Sequence, residues 1–352
     1  VKAHMWYTQN KINYYGGSKP GVYTRNTLTE TKNATYGLDV QKDISLSEKS
    51  LLTVGANAKK EKYEPQIIKG DSAKSSDKKE RNQFAVFAQL DQKFTDKDNL
   101  IIGGRGTWTS GSTNGEEYDD FSASAQYVHK FNEDKSVYIS VGQSFIMPSF
   151  SQMYPSGVAA GAPNPNLKPQ KGTNYELGYK EIAGNHLWKV ALFKMNVKDN
   201  ITASWKNEVW NYKNTDFKNV GLEASLAVDA SDKFSYDIGL TVHNPKNKIE
   251  NEPSKKGWQR KFGKYQVKSG VEYKLDKFRA GFSGSYVWDR YSSPSSKESY
   301  KIKPYFLTTF TAAYAPDKNS EFSLIVDNVL NRNDNLSNTM SDHGAYYATP
   351  TN

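Results

Sequence analysis

Between residues 233 and 243 the chain reads KFSYDIGLTVH, with Phe234, Tyr236, Ile238, Leu240 and Val242 on one parity and Ser235, Asp237, Gly239, Thr241 and His243 on the other. A strand turns alternate side chains to opposite faces, so this spacing predicts a β-strand with one apolar and one polar face. The pattern recurs at Val220, Leu222, Ala224, Leu226 and Val228, at Val137, Ile139 and Val141, and at Phe84, Val86, Ala88 and Leu90. Further copies run through Phe121, Ala123, Ala125 and Tyr127, through Phe278, Ala280, Phe282, Tyr286 and Trp288, and through Phe322, Leu324 and Val326. About fifteen segments of roughly ten residues follow it, the length that crosses a bilayer as a tilted strand. Helical spacing fits none of them better.

The connections between these segments alternate in length. Short turns are expected at SLSEKS, TDKD, NEDK, AGN, DASDK, LDK and PDKN, and long loops at 11–33, 60–81, 109–119, 146–173, 205–217, 244–263 and 290–303, with a tail from 331. Long and short connections therefore segregate to opposite ends of the strands. A soluble sandwich has no need of this, whereas a barrel of the outer membrane pairs short periplasmic turns with long external loops. The fold class predicted is all-β, an antiparallel transmembrane β-barrel, with residues 1–352 as one partial barrel domain. Face polarity alone does not separate barrel from sandwich, because the second face of either accepts Ser, Asp, Glu and Lys. Aromatic residues near strand ends, such as Trp108, Tyr127, Tyr286 and Trp288, fit interfacial girdles.

Composition narrows the class. No run of about 18 apolar residues exists, which excludes a transmembrane helix. Cysteine is absent, so no disulfide staples the fold. The chain opens at Val1 inside an expected strand, which reads as a piece of a longer protein. The formal charge of +9 is spread through mixed stretches such as KNKIENEPSKKGWQRK at 246–261. With no nucleic-acid module in the chain, a basic rim fits anionic headgroups or an anionic ligand better than nucleic acid. No His-Glu-x-x-His, Gly-x-Ser-x-Gly or phosphate loop is present, and no pair of carboxylates stands out, so neither an enzyme nor a cofactor is indicated.

One stretch is more specific. Residues 141–180 read VGQSFIMPSFSQMYPSGVAAGAPNPNLKPQKGTNYELGYK. Phe145 and Pro148, then Met153 and Tyr154, then Asn164, Pro165, Asn166, Leu167 and Pro169, then Asn174, Tyr175, Glu176 and Gly178 follow one another in order. This series resembles that of TonB-dependent outer-membrane receptors, with Gln170 where the family usually has Glu. SLIVDNVLNRND at 323–334 resembles their penultimate strand, and GAYYATPTN the approach to the last. The resemblance implies a 22-stranded barrel of which these segments are strands seven to twenty-one. It also implies that a plug domain, an energy-coupling box, about six opening strands and the last strand lie outside this chain. The implied activity is import of a scarce nutrient, most often a ferric siderophore, gated by the plug and energised by the TonB complex. A haem or cobalamin receptor of the same family, or a passive porin, is the alternative.

The candidate binding residues follow from chemistry. Pro165 and Pro169 fix φ, and Asn164 and Asn166 can bond their own backbone, so the motif descends stiffly into a strand whose Tyr175, Leu177 and Tyr179 face lipid and whose Glu176 and Lys180 face the lumen. Haem receptors of the family place a His between Pro148 and Asn164; none is present, although Tyr154 offers an oxygen ligand and His343 lies in the last loop. The expected outer loops mix rings with cations at Tyr14, Tyr15, Tyr23 and Arg25, at Trp205, Trp210 and Tyr212, at Lys255, Lys256, Trp258, Arg260 and Lys261, and at Tyr291 and Tyr300. Rings beside Lys and Arg suit an anionic, ring-bearing iron complex or lipopolysaccharide phosphates. Tyr154, Trp210, Tyr212, Trp258 and Arg260 are the ligand-contacting candidates. The acidic EEYDD at 116–120 lacks the ordered spacing of a calcium site.

Overall fold

A computed structural model describes residues 1–16, 27–69, 72–75, 78–112, 117–156, 161–206, 209–249, 257–260, 262–291, 301–334, 340–341 and 344–345. In chain order the strands are β1 (Lys2–Gly16), β2 (Thr27–Ser47), β3 (Ser50–Lys69), β4 (Ser72–Ser75), β5 (Lys79–Lys93), β6 (Asp98–Ser110), β7 (Asp119–Lys130) and β8 (Lys135–Ile146). One helical turn, α1 (Phe150–Met153), follows. Next come β9 (Gln170–Ala183), β10 (His186–Lys206), β11 (Val209–Ser231), β12 (Phe234–His243), β13 (Lys246–Ile249), β14 (Gly257–Arg260), β15 (Tyr265–Leu275) and β16 (Phe278–Trp288). The series ends with β17 (Arg290–Tyr291), β18 (Lys301–Ile302), β19 (Tyr305–Asp317), β20 (Ser320–Asp327), β21 (Met340–Ser341) and β22 (Gly344–Ala345). Among the described residues fifteen strands have eight residues or more, matching the period-two segments, and the other seven have four or fewer.

The chain divides into two compact units: 1–126 with 141–173 and 197–215, and 127–140 with 174–196 and 216–352. In the first unit β1 pairs with β2 from Lys2↔Gln41 to Gly16↔Thr27, β2 with β3, β3 with β5, and β5 with β6, all antiparallel. In the second, β11 pairs with β12, β12 with β15, β15 with β16, β16 with β19 and β19 with β20, again antiparallel.

All seven short turns fall where the pattern puts them. The LDK turn joins β15 and β16 through Asp276, held at φ 51°, in the left-handed region that Asp tolerates and tight hairpins require. The long connections are shorter than expected. Most of 11–33, 60–81 and 205–217 is strand: Asn10↔Asn33 through Gly16↔Thr27 continue the β1–β2 ladder, and β3 runs on to Lys69 with β4 beside it. Trp258 and Arg260, expected in a loop, lie in β14, paired with Lys248 and Lys246 of β13. The physical reason is that hairpin pairing satisfies backbone groups whatever the side chains, so polar segments without clear alternation still form ladders.

The two faces differ sharply. In the first unit Met5, Tyr7, Tyr36, Leu38, Val40, Phe84 and Val86 are exposed; in the second so are Ile139, Tyr175, Leu177, Leu192, Val220, Ile238, Leu240, Phe282, Phe322 and Leu324. Phe322 is 67% exposed and Leu324 55%, so no second layer covers their face. A sandwich would bury this parity; left in water it would cost about 25 cal/mol for each Å² of apolar surface. Rings pair along the same face, Tyr7 with Tyr36 at 4.9 Å and Phe278 with Tyr314 at 4.5 Å. By contrast, the packed apolar cluster formed among the described residues is small: Tyr63, Phe150, Met153 and Leu167.

Candidate functional site

That small cluster organises the first unit's polar face. Ser149 caps α1: its hydroxyl accepts the Gln152 N–H, and the Gln152 side chain accepts the Ser149 N–H. This reciprocal capping box fixes a turn far too short to be stable by itself. The turn buries Phe150 and Met153 against Tyr63 of β3 and Leu167, with Tyr154, Ile201 and Tyr212 packed around them. Tyr63 donates its hydroxyl to the Tyr154 carbonyl at 2.9 Å.

The motif around 164 is fastened on all sides. Asn164 donates its side-chain N–H to the Tyr212 carbonyl at 3.0 Å and its backbone N–H to the Met153 carbonyl at 2.8 Å. Leu167 is 1% exposed, and its carbonyl accepts from the Tyr118 hydroxyl at 3.2 Å. Asn214 accepts from the Lys168 N–H at 2.8 Å and donates to the Lys168 and Asp199 carbonyls at 2.9 and 2.7 Å. Gln170, where the family has Glu, accepts the Ile201 N–H at 3.0 Å, a bond an amide oxygen makes as well as a carboxylate. Pro165 and Pro169 are half-buried and Asn166 is exposed.

Arg81 is the central anchor. Only 4% exposed, it donates to Glu61 at 2.5 Å and to the Pro148 carbonyl at 2.8 Å, and its guanidinium stacks 4.9 Å from the Phe150 ring centre. Lys59 meets the same Glu61 at 2.8 Å. Burial pushes the Glu61 carboxyl up, and the two cations outweigh it and hold the carboxyl below its ordinary range.

Beside this anchor the polar face opens into a cavity of ≈ 540 Å³, with Lys59, Glu61, Arg81, Gln83, Arg105 and Phe145 in its lining. Arg105 stands 5.9 Å from the Phe87 ring centre and bonds the Thr107 hydroxyl at 3.3 Å, with no carboxylate partner among the described residues. Gln83 Oε1 is buried there without a protein hydrogen-bond partner. Three cations against one carboxylate give the wall a net positive charge, with ring and amide groups between. Such a surface binds anions by charge-assisted hydrogen bonds.

The ligand-contacting candidates divide. Tyr154 and Tyr212 come together in the packed cluster, Tyr154 with Lys79 4.8 Å from its ring centre. Trp210 is exposed, and its carbonyl accepts the Gly161 N–H at 3.0 Å. Trp258 and Arg260 belong to the second unit. Lys218 lies 4.0 Å from the Trp258 ring centre, while Arg260 bonds Asp289 at 2.9 Å and stacks 4.5 Å from the Tyr291 ring centre. Arg260 is therefore committed to Asp289 within its own hairpin neighbourhood. Among the remaining motif residues, Phe145 has Lys171 5.7 Å from its ring centre, Pro148 is fully buried, and Asn174 is half-buried. Tyr175 is exposed, and Glu176 on the opposite parity accepts from the Tyr138 hydroxyl.

In the acidic stretch, Asp120 pairs with Lys171 at 2.9 Å and accepts from the Ser122 hydroxyl, and no cluster of metal-binding side chains occurs among the described residues. His343, Tyr23, Arg25, Lys255, Lys256, Lys261 and Tyr300 lie outside the described residues, as do the side chains of Tyr14, Tyr15 and Trp205. The sequence pattern does not single out Arg81, Tyr63, Tyr118 and Asn214. Only Arg81 leaves a trace, as a lone arginine on the polar parity of β5.

An antiparallel strand series with an uncovered apolar face and a cation-lined polar face defines a membrane-spanning β-protein. The chain belongs to the TonB dependent receptor-like, beta-barrel family, which it matches over residues 2–329. Among solved structures, it is similar to "Copper transporter OprC" at TM-score 0.80 and 15% identity, over 99% of this chain and 61% of that one. It is similar to the ferric enterobactin receptor PfeA, solved in complex with BCV-L6, at TM-score 0.71 and 16% identity, over 99% and 58%. The FrpB iron transporter of Neisseria meningitidis (F5-1 variant) gives TM-score 0.69 and 16% identity, over 87% and 53%. The chain thus spans between half and two thirds of the length of each. These three are named as transporters or receptors.

Proposed function

We propose that the protein containing this chain sits in the bacterial outer membrane and imports a small anionic metal complex, a ferric siderophore, with a plug domain gating the barrel and the TonB complex supplying the energy. The apolar face turns to lipid, the short turns to the periplasm and the long connections outward. The observation that carries the cargo class is the cavity beside Arg81, where Lys59, Arg81 and Arg105 outnumber Glu61. Two of the similar proteins are named for iron or ferric cargo. Copper, for which a third is named, prefers thiolate, thioether or imidazole ligands. The cavity offers it ammonium, guanidinium and amide groups, with Met147 as its one sulfur among the described lining. Haem fits less well for the same reason, since no His lies between Pro148 and Asn164.

Uptake of a panel of ferric siderophores, haem, cobalamin and copper by cells making the full-length parent, with and without the energy-coupling system, tests this. Energy-dependent uptake of one ferric siderophore is the expected result. Uptake indifferent to energy coupling would establish a passive porin instead.

A further inference from the structure

The cavity beside Arg81 holds an anion of its own. Glu61 stands directly across the β3–β5 ladder from Arg81, and Lys59, two residues back on the same face, stands across from Gln83. Both oxygens of the Glu61 carboxylate are engaged: Oε2 accepts from Arg81 Nε at 2.5 Å, and Oε1 meets Lys59 Nζ at 2.8 Å. All three side chains line the cavity, and those of Glu61 and Lys59 are 21% and 23% exposed, so the pair opens into it rather than being sealed in a core. Arg81 gives Nη1 to the Pro148 carbonyl at 2.8 Å, and its Nη2 forms no hydrogen bond among the described residues. Arg105 lies deeper. It stands across from Phe87 in the β5–β6 ladder, six residues nearer the TDKD turn than Arg81, which is about 20 Å along a strand. The cavity thus has two parts: an outer pair of cations partly neutralised by Glu61, and a deeper cation with no carboxylate partner among the described residues.

We infer that Glu61 is an exchangeable counter-ion of the import site: anionic cargo displaces its carboxylate from Lys59 and Arg81, and the returning carboxylate displaces the cargo toward Arg105. The inference rests on the import reading proposed above. Unequal anchoring of the partners favours exchange over a fixed structural pair. When Glu61 leaves, Arg81 keeps the Pro148 carbonyl and the Phe150 ring, so the guanidinium stays in place as a donor. Lys59 and Arg81 are the only partners of Glu61 among the described residues, so the freed carboxylate can turn into the open cavity. Exchange also meets the needs of transport. Three cations without a competitor would hold a multiply charged anion against release, whereas passage requires binding strong enough to capture and weak enough to let go. A carboxylate built into the wall offers the same charge-assisted bonds as the cargo and sets that balance.

The test titrates the full-length parent in detergent with inorganic pyrophosphate, a small polyanion that depends on no cargo assignment, and reads binding by calorimetry. Glu61→Gln keeps the shape and an acceptor oxygen and removes the charge. It is expected to bind pyrophosphate at least about tenfold more tightly than wild type, with a steeper loss of affinity on adding salt, because a competitor for charge-assisted bonds is gone. Glu61→Asp withdraws the carboxylate by one methylene and is expected to fall between the two; it decides the question if Glu61→Gln does not fold, as heat-modifiable gel migration reports. Affinity in the folded variant equal to or weaker than wild type overturns the inference, since a carboxylate that only positions Arg81 would weaken the site when lost. Absence of pyrophosphate binding by all three proteins overturns it too. In cells, Glu61→Gln is expected to take up the ferric siderophore with a lower half-saturating concentration and a lower maximal rate, and an unchanged maximal rate overturns the role in release. Wild-type protein that takes up no ferric siderophore overturns the import reading through a separate readout, with the pyrophosphate contrast still measured.

Discussion

Arg81 shows how much one side chain can hold. Its guanidinium joins Glu61, the Pro148 carbonyl and the Phe150 ring, so Arg81→Met frees the start of the 147–169 segment and leaves Glu61 with Lys59 alone. Removing one partner of a buried ion pair costs about 3–5 kcal/mol. Faster limited proteolysis within 147–169 and weaker cargo binding are the expected outcomes. Leu167→Ala is expected to cost about 2–5 kcal/mol by opening a cavity in the Tyr63 cluster, with the same proteolytic readout. Glu80 gives a pH prediction. Hydrogen bonds from Lys78 and Lys60 lower its pKa from 4.5 to about 2. The contribution of this depressed carboxylate is complete above pH 4.5 and is lost as pH falls through about 2. Hydrogen exchange at the β3–β5 ladder should accordingly hold steady at neutral pH and quicken from about pH 4 downward, and Glu80→Gln should flatten that response.

At the scale of elements, the strands pack through glycines on the polar parity. A Cβ on Gly178 of β9 would collide with the Tyr138 ring of β8, so the ring lies directly over the glycine while its hydroxyl meets Glu176. Gly178→Ala is expected to destabilise by about 1–3 kcal/mol through overpacking. In a double-mutant cycle, Tyr138→Ala should remove most of that cost, and additive effects would show that the two residues are not coupled. The strand extensions beyond the apolar band were not legible in the sequence, because their side chains do not alternate. The turns were legible, because LDK and AGN need residues that tolerate positive φ, and Asp276 and Gly184 provide it at 51° and 60°.

For the whole molecule, an apolar parity left uncovered in both units requires lipid or detergent. The full-length parent should partition into outer-membrane fractions and migrate faster on a gel before heating than after; a species soluble without detergent would contradict the membrane assignment. Salt provides a further check on cargo. If the cations beside Arg81 bind an anion, affinity should fall as ionic strength rises, since partly exposed charges are screened over about 8 Å at physiological salt.

Period-two alternation, turn chemistry and the alternating lengths of connections were enough, by themselves, to establish the fifteen long strands, their antiparallel order and which parity is apolar, because each depends on neighbours a few residues apart. The motif at 164–169 was legible as a stiff descent for the same reason. Its function as a fastened segment was not, because Tyr63, Tyr118 and Asn214 reach it from positions far away in the chain. Tertiary structure alone decided that Tyr154 and Tyr212 share one cluster and that Arg260 is committed to Asp289. Strand pairing brings such residues together by register, and register is a property of several strands at once.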